Sequence, residues 1–358
     1  MPKNKTRKEY FFSGYNGGYL DISSLPNYQE VAKSDVTNKP YTFIPDNNVC
    51  IHVSDFNIRK QDEAKRAKAK SFLEYVHRSN ITVNPTWGLL ERASKPGTLN
   101  LDKDKLKDFE QAFWRKLYHY SDNSLFSQSI KSIELDKSIL YTMYVYLLKI
   151  KLIIVEKKPS SNNAKANLTE LYDFMNEMQF FSVIMWQIAI GVFGGDNIIA
   201  SRLIKHGGKN KKENIFKDLW GAAWDVYYLQ LPHWFYGVAQ VNNSYPQVIF
   251  ATDDKACGMI GSIMKVTGCL DYGNFTNNQT LTNFDFPYWK NQDSFLFKTS
   301  WKINNEIIKR SIKRNSLSEV EFENELESIV DNSSRQINKL TQQLKTISNK
   351  GFDSQKIL

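Results

Sequence analysis

Thr42–Val53, TFIPDNNVCIHV, places a short apolar run on each side of Asp46-Asn47-Asn48. The pattern predicts a buried strand over about 42–51, with Asp46 as the carboxylate it delivers to a carboxyl end. In an open α/β sheet that end is where ligands bind. Asp and Asn also end strands because they favour turns, so Asp46 gains meaning only from partners elsewhere in the chain.

The chain of 358 residues has length for one large domain with insertions or for two smaller ones. Hydrophobic residues at 41% and aromatics at 13% argue for an ordered interior and against global disorder. Lys and Arg number 47 against 38 acids, and the resulting charge of +9 is compatible with a polyanionic partner. Cys50, Cys257 and Cys269 form no CxxC pair, so neither a disulfide framework nor a structural zinc site is indicated. A reducing cytoplasm is the expected setting. The basic start, MPKNKTRKEYFFSGYNGG, lacks the apolar core of a secretory signal. Ile139–Val155 is strongly apolar, yet it contains Lys149 and Lys151 and falls short of about 20 continuous apolar residues. It reads as a buried helix, as does Phe180–Phe193, and no membrane partner is expected.

Residues 1–40, rich in Lys, Asn, Gly and Ser and broken by Pro2, Pro26 and Pro40, read as a basic irregular arm. Helices are expected over Gln61–Arg78, Thr86–Ser94, Asp102–Tyr120, Asp196–Ile204 and Glu213–Leu229, with a short strand at Ile81–Asn84. Residues 121–195 form a helical insertion. Pro246–Ala251 is the second buried strand, closed by Thr252-Asp253-Asp254. Thr or Asp at that junction equally suits a helix cap. Beyond Cys269 the chain is Asn-rich and aromatic to about Trp301. Leu317–Ile347 then reads as a polar helix with incomplete heptad spacing, suited to packing back on the body or to association with a second copy or a partner protein.

Four acidic sites stand at buried-looking junctions: Asp46 after FIP, Glu91 after WGLL, Asp225 within LWGAAWDVYYLQL, and Asp253 with Asp254 after VIFAT. An aspartate among Ala222, Ala223, Trp224 and Val226 is costly to desolvate unless paired or bound to a cation. A salt bridge or a hydrogen bond within the helix would satisfy it as well.

In this order the four segments resemble a PIN-like nuclease domain, whose pattern is a first strand ending in D-x-N, an early helical glutamate, a mid-domain helical aspartate and a strand closed by T-D. Asp46-Asn47-Asn48, Glu91 in NPTWGLLER, Asp225 in AAWDVYYL and Thr252-Asp253-Asp254 carry the resemblance, which covers about Tyr41 to Val266. The long separation between Glu91 and Asp225 requires the helical insertion. Asp218, about two helical turns before Asp225 on the same face, is a rival third ligand.

The resemblance implies an α/β fold, a PIN-like parallel sheet flanked by helices, over residues 41–270, with a C-terminal extension over 271–358. It implies an acidic pocket in which Asp46, Glu91, Asp225 and Asp253 hold Mg²⁺ or Mn²⁺, supported by Asn48, Thr252, Asp254 and Asp218. Gathered carboxylates need a proton or a cation to offset their repulsion, and oxygen donors suit those ions. The implied activity is metal-dependent hydrolysis of phosphodiester bonds, in RNA before DNA. Arg59, Lys60, Lys205, Lys209, Lys211 and Lys212 are the expected backbone contacts. An inactive RNA-binding or protein-interaction scaffold of the same fold is the alternative. A phosphotransferase with a nucleophilic aspartate fits less well, because residue 48 is Asn where a second acid would stand.

Overall fold

Phe11–Ser13 (β1), Tyr19–Leu20 (β2), Tyr41–Pro45 (β3), Thr82–Val83 (β4) and Gln247–Thr252 (β5) form one small sheet in the order β2-β1-β5-β3-β4. The computed structural model describes residues 10–13, 19–20, 22–37, 39–56, 62–95, 97, 102–117, 133–204, 215–241, 247–254, 257, 266–271, 276–280 and 285–349. β3, between β5 and the edge strand β4, runs parallel to both neighbours, with Phe43 opposite Val83 on β4 and Ile249 on β5. β1 runs antiparallel to β5, so the sheet is mixed rather than wholly parallel. A separate antiparallel hairpin comprises Val266–Asp271 (β6) and Thr276–Thr280 (β7).

The helices are Tyr28–Val36 (α1), Asn47–Ser54 (α2), Glu63–Ser79 (α3), Thr86–Ala93 (α4), Lys103–Leu117 (α5), Ile133–Glu156 (α6), Ala164–Met178 (α7), Val183–Phe193 (α8), Asn197–Arg202 (α9), Ile215–Val241 (α10), Asp293–Asn315 (α11) and Glu319–Asn349 (α12). Phe43 anchors the sheet's core, its ring 5.7 Å from Phe12 and 5.6 Å from both Phe72 and Tyr75. Tyr228 of α10 stacks on Phe250 of β5 at 5.4 Å, joining the helical body to the sheet.

The expected strand over 42–51 ends at Pro45, and VCIHV belongs to helix α2. The Asp46 carboxylate caps that helix by accepting from the Val49 N–H at 2.7 Å, and Val49, Cys50 and Val53 bury one helical face. Residues 1–40 are likewise not an irregular arm where they are described. β1 extends the sheet, and α1 starts at a capping box in which Asn27 and Glu30 exchange side-chain to backbone bonds. The Asn-rich region before Trp301 contains the start of α11, which is anchored by Leu296, Thr299 and Ile303 at helical spacing. The expected helix end at Leu229 is passed, since α10 continues through Pro232 to Val241.

Lys137–Glu156 is long and apolar enough to cross a membrane, and 83% of its most apolar window is buried inside the fold. Its Lys149 is met by Glu170 of α7 at 2.6 Å, while burial pulls the Lys151 amine down to about 8. The C-terminal helix packs back on this core helix. Leu340 and Leu344 are buried, and the Ser333 hydroxyl lies 3.5 Å from that of Thr142.

Candidate acidic site

Asp46 follows the last residue of β3 and is 3% exposed. Its main-chain N–H donates to the Ala251 carbonyl of β5 at 2.9 Å, which holds the two parallel strand ends in register. One carboxylate oxygen takes the Val49 N–H, and the other accepts the Thr252 hydroxyl at 2.6 Å. The Thr252 oxygen in turn accepts the Asp254 N–H at 2.9 Å. The four residues thus form one hydrogen-bonded junction. Burial pushes the Asp46 carboxyl up to about 7, opposed by its two hydrogen bonds and reinforced by the charges of Asp253 and Asp254.

Glu91 reaches this neighbourhood from α4 because that helix lies very close to the start of α2. A Cβ on Gly88 would stand 2.6 Å from Cys50 Sγ and 2.9 Å from the Pro45 carbonyl, so only glycine permits the approach. Gly88 and Glu91 are three residues apart and share a helix face. The Tyr228 hydroxyl donates to Glu91 Oε2 at 2.9 Å, and the Asn47 side chain also bonds this carboxyl. Burial, then Asp225, then Asp46 push its pKa well above the ordinary carboxylate range.

Asp225 is therefore the α10 acid acting most strongly on Glu91. Asp218 lies two turns earlier, about 10 Å along the axis, too far to share a position with Asp225. Asp253 turns to a different set of partners. Lys68 of α3 bonds its carboxylate directly, and His52 Nδ1 lies 3.9 Å away. His52 is itself buried and 3.2 Å from the Tyr10 hydroxyl. Burial lowers its pKa, with Asp253 acting in the opposite sense. Asp254 accepts the Cys257 N–H at 3.4 Å, as a capping residue does.

Comparison with family models, curated proteins and solved structures finds no match to this chain.

Asp46, Glu91 and Asp225 share one electrostatic neighbourhood, whereas Asp253 is neutralised by Lys68. The donors are all oxygen, which suits a hard divalent cation. Asn47 Oδ1 is a buried acceptor with no hydrogen-bond partner, beside carboxyls whose charged forms are disfavoured. A cation would answer both conditions. Among the described residues, however, no group of three or more His, Cys, Asp or Glu stands close enough to hold a metal ion. The expected ligands are neighbours, not a gathered shell.

Asn48, expected to support the site, is exposed, and its neighbour Asn47 takes that place. Tyr228, Lys68 and His52 were also missed. Tyr228 stands three residues after Asp225, a helical spacing that invites notice. Lys68 and His52 carry no signal that separates them from ordinary helix-face residues. Arg59, Lys60, Lys205, Lys209, Lys211 and Lys212 lie outside the described residues.

Proposed function

We propose that the chain is a metal-dependent endonuclease with a PIN-like arrangement of its parallel strands, hydrolysing phosphodiester bonds in RNA. The observation that carries this reading is the bond from Thr252 to Asp46 across the carboxyl ends of adjacent parallel strands, with Glu91 electrostatically coupled to Asp46. Carboxyl ends of parallel strands are where α/β sheets bind ligands. Asp46, Glu91 and Asp225 would hold Mg²⁺ or Mn²⁺, with Asp253 or Asp254 completing the acidic set. When bound, such an ion supplies an activated water and stabilises charge on the leaving oxygen. Thr252 and Tyr228 orient the Asp46 and Glu91 carboxylates, and Asn47 offers its free carbonyl oxygen.

The test is incubation of the purified chain with labelled single-stranded RNA and Mg²⁺ or Mn²⁺. Cleavage lost in Asp46→Asn and in Glu91→Gln supports the reading, and undiminished cleavage in the double variant overturns it. Asp253's pairing with Lys68 favours the second reading, a scaffold of the same fold. That reading expects salt-sensitive RNA binding with no turnover.

A further inference from the structure

α3 and α5 both pack on α2, and a cleft of about 990 Å³ is lined by residues of both together with Ser54 at the end of α2 and Phe56 just beyond it. Ligand pockets commonly enclose about 300–1,000 Å³. Lys70, Glu74, His77 and Arg78 recur along one face of α3, opposite Arg115 and Lys116 of α5. Phe56, Leu73 and Ala112 supply the apolar part of its lining. We propose that this cleft binds a nucleotide unit, its phosphates on the cations and its base against Phe56 and Leu73.

The bland account of these cations is that they complement helix ends. Arg78 stands in the last turn of α3, and Arg115 and Lys116 in the last turn of α5. A helix C-terminus carries about half a unit of negative charge, so three converging ends supply roughly −1.5. Lys70, Arg78, Arg115 and Lys116 against Glu74 leave a formal +3. The surplus is therefore about +1.5, close in magnitude and opposite in sign to the charge of one phosphomonoester at neutral pH. Among the described residues Glu74 pairs with Lys70, at 3.7 Å with both side chains largely exposed. Arg78, Arg115 and Lys116 have no carboxylate within ion-pair distance among the described residues. Arginine's planar fork also suits phosphate oxygens bidentately.

This cleft is separate from the acidic site. Lys68, which bonds Asp253, projects from the side of α3 opposite Lys70, since two residues turn a helix through about 200°. Its occupancy does not depend on whether the acidic site cleaves anything.

The phosphate can belong to a free nucleotide or to a nucleic-acid strand, and titration calorimetry in EDTA separates the two. The probes are inorganic phosphate, AMP, ADP and a short single-stranded RNA oligomer, each added to the full chain and to its Asp46→Asn variant. Expected is binding of ADP or of the RNA that is equal in both proteins and weakened at least tenfold by Arg78→Ala with Arg115→Ala. Phe56→Ala should weaken the nucleotide probes and leave inorganic phosphate unaffected. Tighter binding of ADP assigns a free nucleotide, and tighter binding of RNA with a steep salt dependence assigns a strand. Binding that persists in the double arginine variant, or no binding by any probe, overturns the proposal. Both arginines project from helix surfaces, and circular dichroism on the same samples confirms that the variant is folded.

Discussion

Thr252 donates its hydroxyl to Asp46 at 2.6 Å, joining residues 206 positions apart in sequence across adjacent parallel strand ends. The same oxygen receives the Asp254 N–H, so it serves two buried or half-buried groups at once. Thr252→Val keeps the shape and removes both bonds. Chemical denaturation should register a loss of about 1–3 kcal/mol, the range for stranded buried polar groups. Thr252→Ser should restore most of it.

Asp46 sets a pH dependence. In the fold its carboxyl is held up to about 7, against an ordinary value of 3.8. The folded state therefore keeps a proton that the unfolded chain releases. Stability from this group is complete below about pH 4 and is lost as pH rises to about 7. In EDTA, Asp46→Asn retains the helix cap and escapes that loss, so it should be the more stable protein at pH 8 by up to ~4 kcal/mol. The advantage should shrink between pH 7 and 4.

Two glycines make opposite predictions. Gly88→Ala forces a Cβ against Cys50 Sγ and the Pro45 carbonyl, and should cost about 1–3 kcal/mol. It should also displace Glu91 and weaken any Mn²⁺ binding. Gly221→Ala, with nothing within 4 Å of its new Cβ in α10, should stabilise by about 0.5–1 kcal/mol. Equal melting shifts for the two would contradict the close approach of α4 to α2.

Lys68→Met removes the cation on Asp253 and leaves His52 as its nearest counter-charge. Lys68 is among the charges that lower the His52 pKa, and Asp253 raises it, so the variant's imidazole should titrate at higher pH by NMR. Burial holds the His52 pKa below its unfolded value, which costs stability as pH falls and the unfolded imidazole takes up its proton first, and a variant imidazole that titrates higher lessens that cost at low pH. The destabilisation should accordingly be smaller at pH 5 than at pH 8.

Much of the fold was legible in the chain. α3, α4, α5 and the two most apolar helices follow from helical periodicity and length, and β5 from its apolar run. The failures share a cause. VCIHV reads equally as strand or helix, because a short apolar run has no decisive period. Only the Asp46 carboxylate on the Val49 N–H settles it. β1 was hidden because its three residues, Phe11-Phe12-Ser13, are too few to show a period within a Lys- and Asn-rich stretch, and α11 because its Lys and Asn mask the spacing of the buried Leu296 and Ile303.

By itself the sequence determined that Asp46 and Thr252-Asp253-Asp254 stand at the ends of buried strands, since apolar runs closed by turn-forming acids specify that locally. Tertiary packing decided which carboxylates meet. Gly88 lets α4 approach α2 and brings Glu91 toward Asp46, while Lys68 draws Asp253 to another side. Such choices rest on contacts between distant segments, where burial and opposite charge select partners that spacing along the chain does not encode. Thr42–Val53 thus supplies a strand and a capped helix, and the fold around it determines that the residue between them is a buried acid with company.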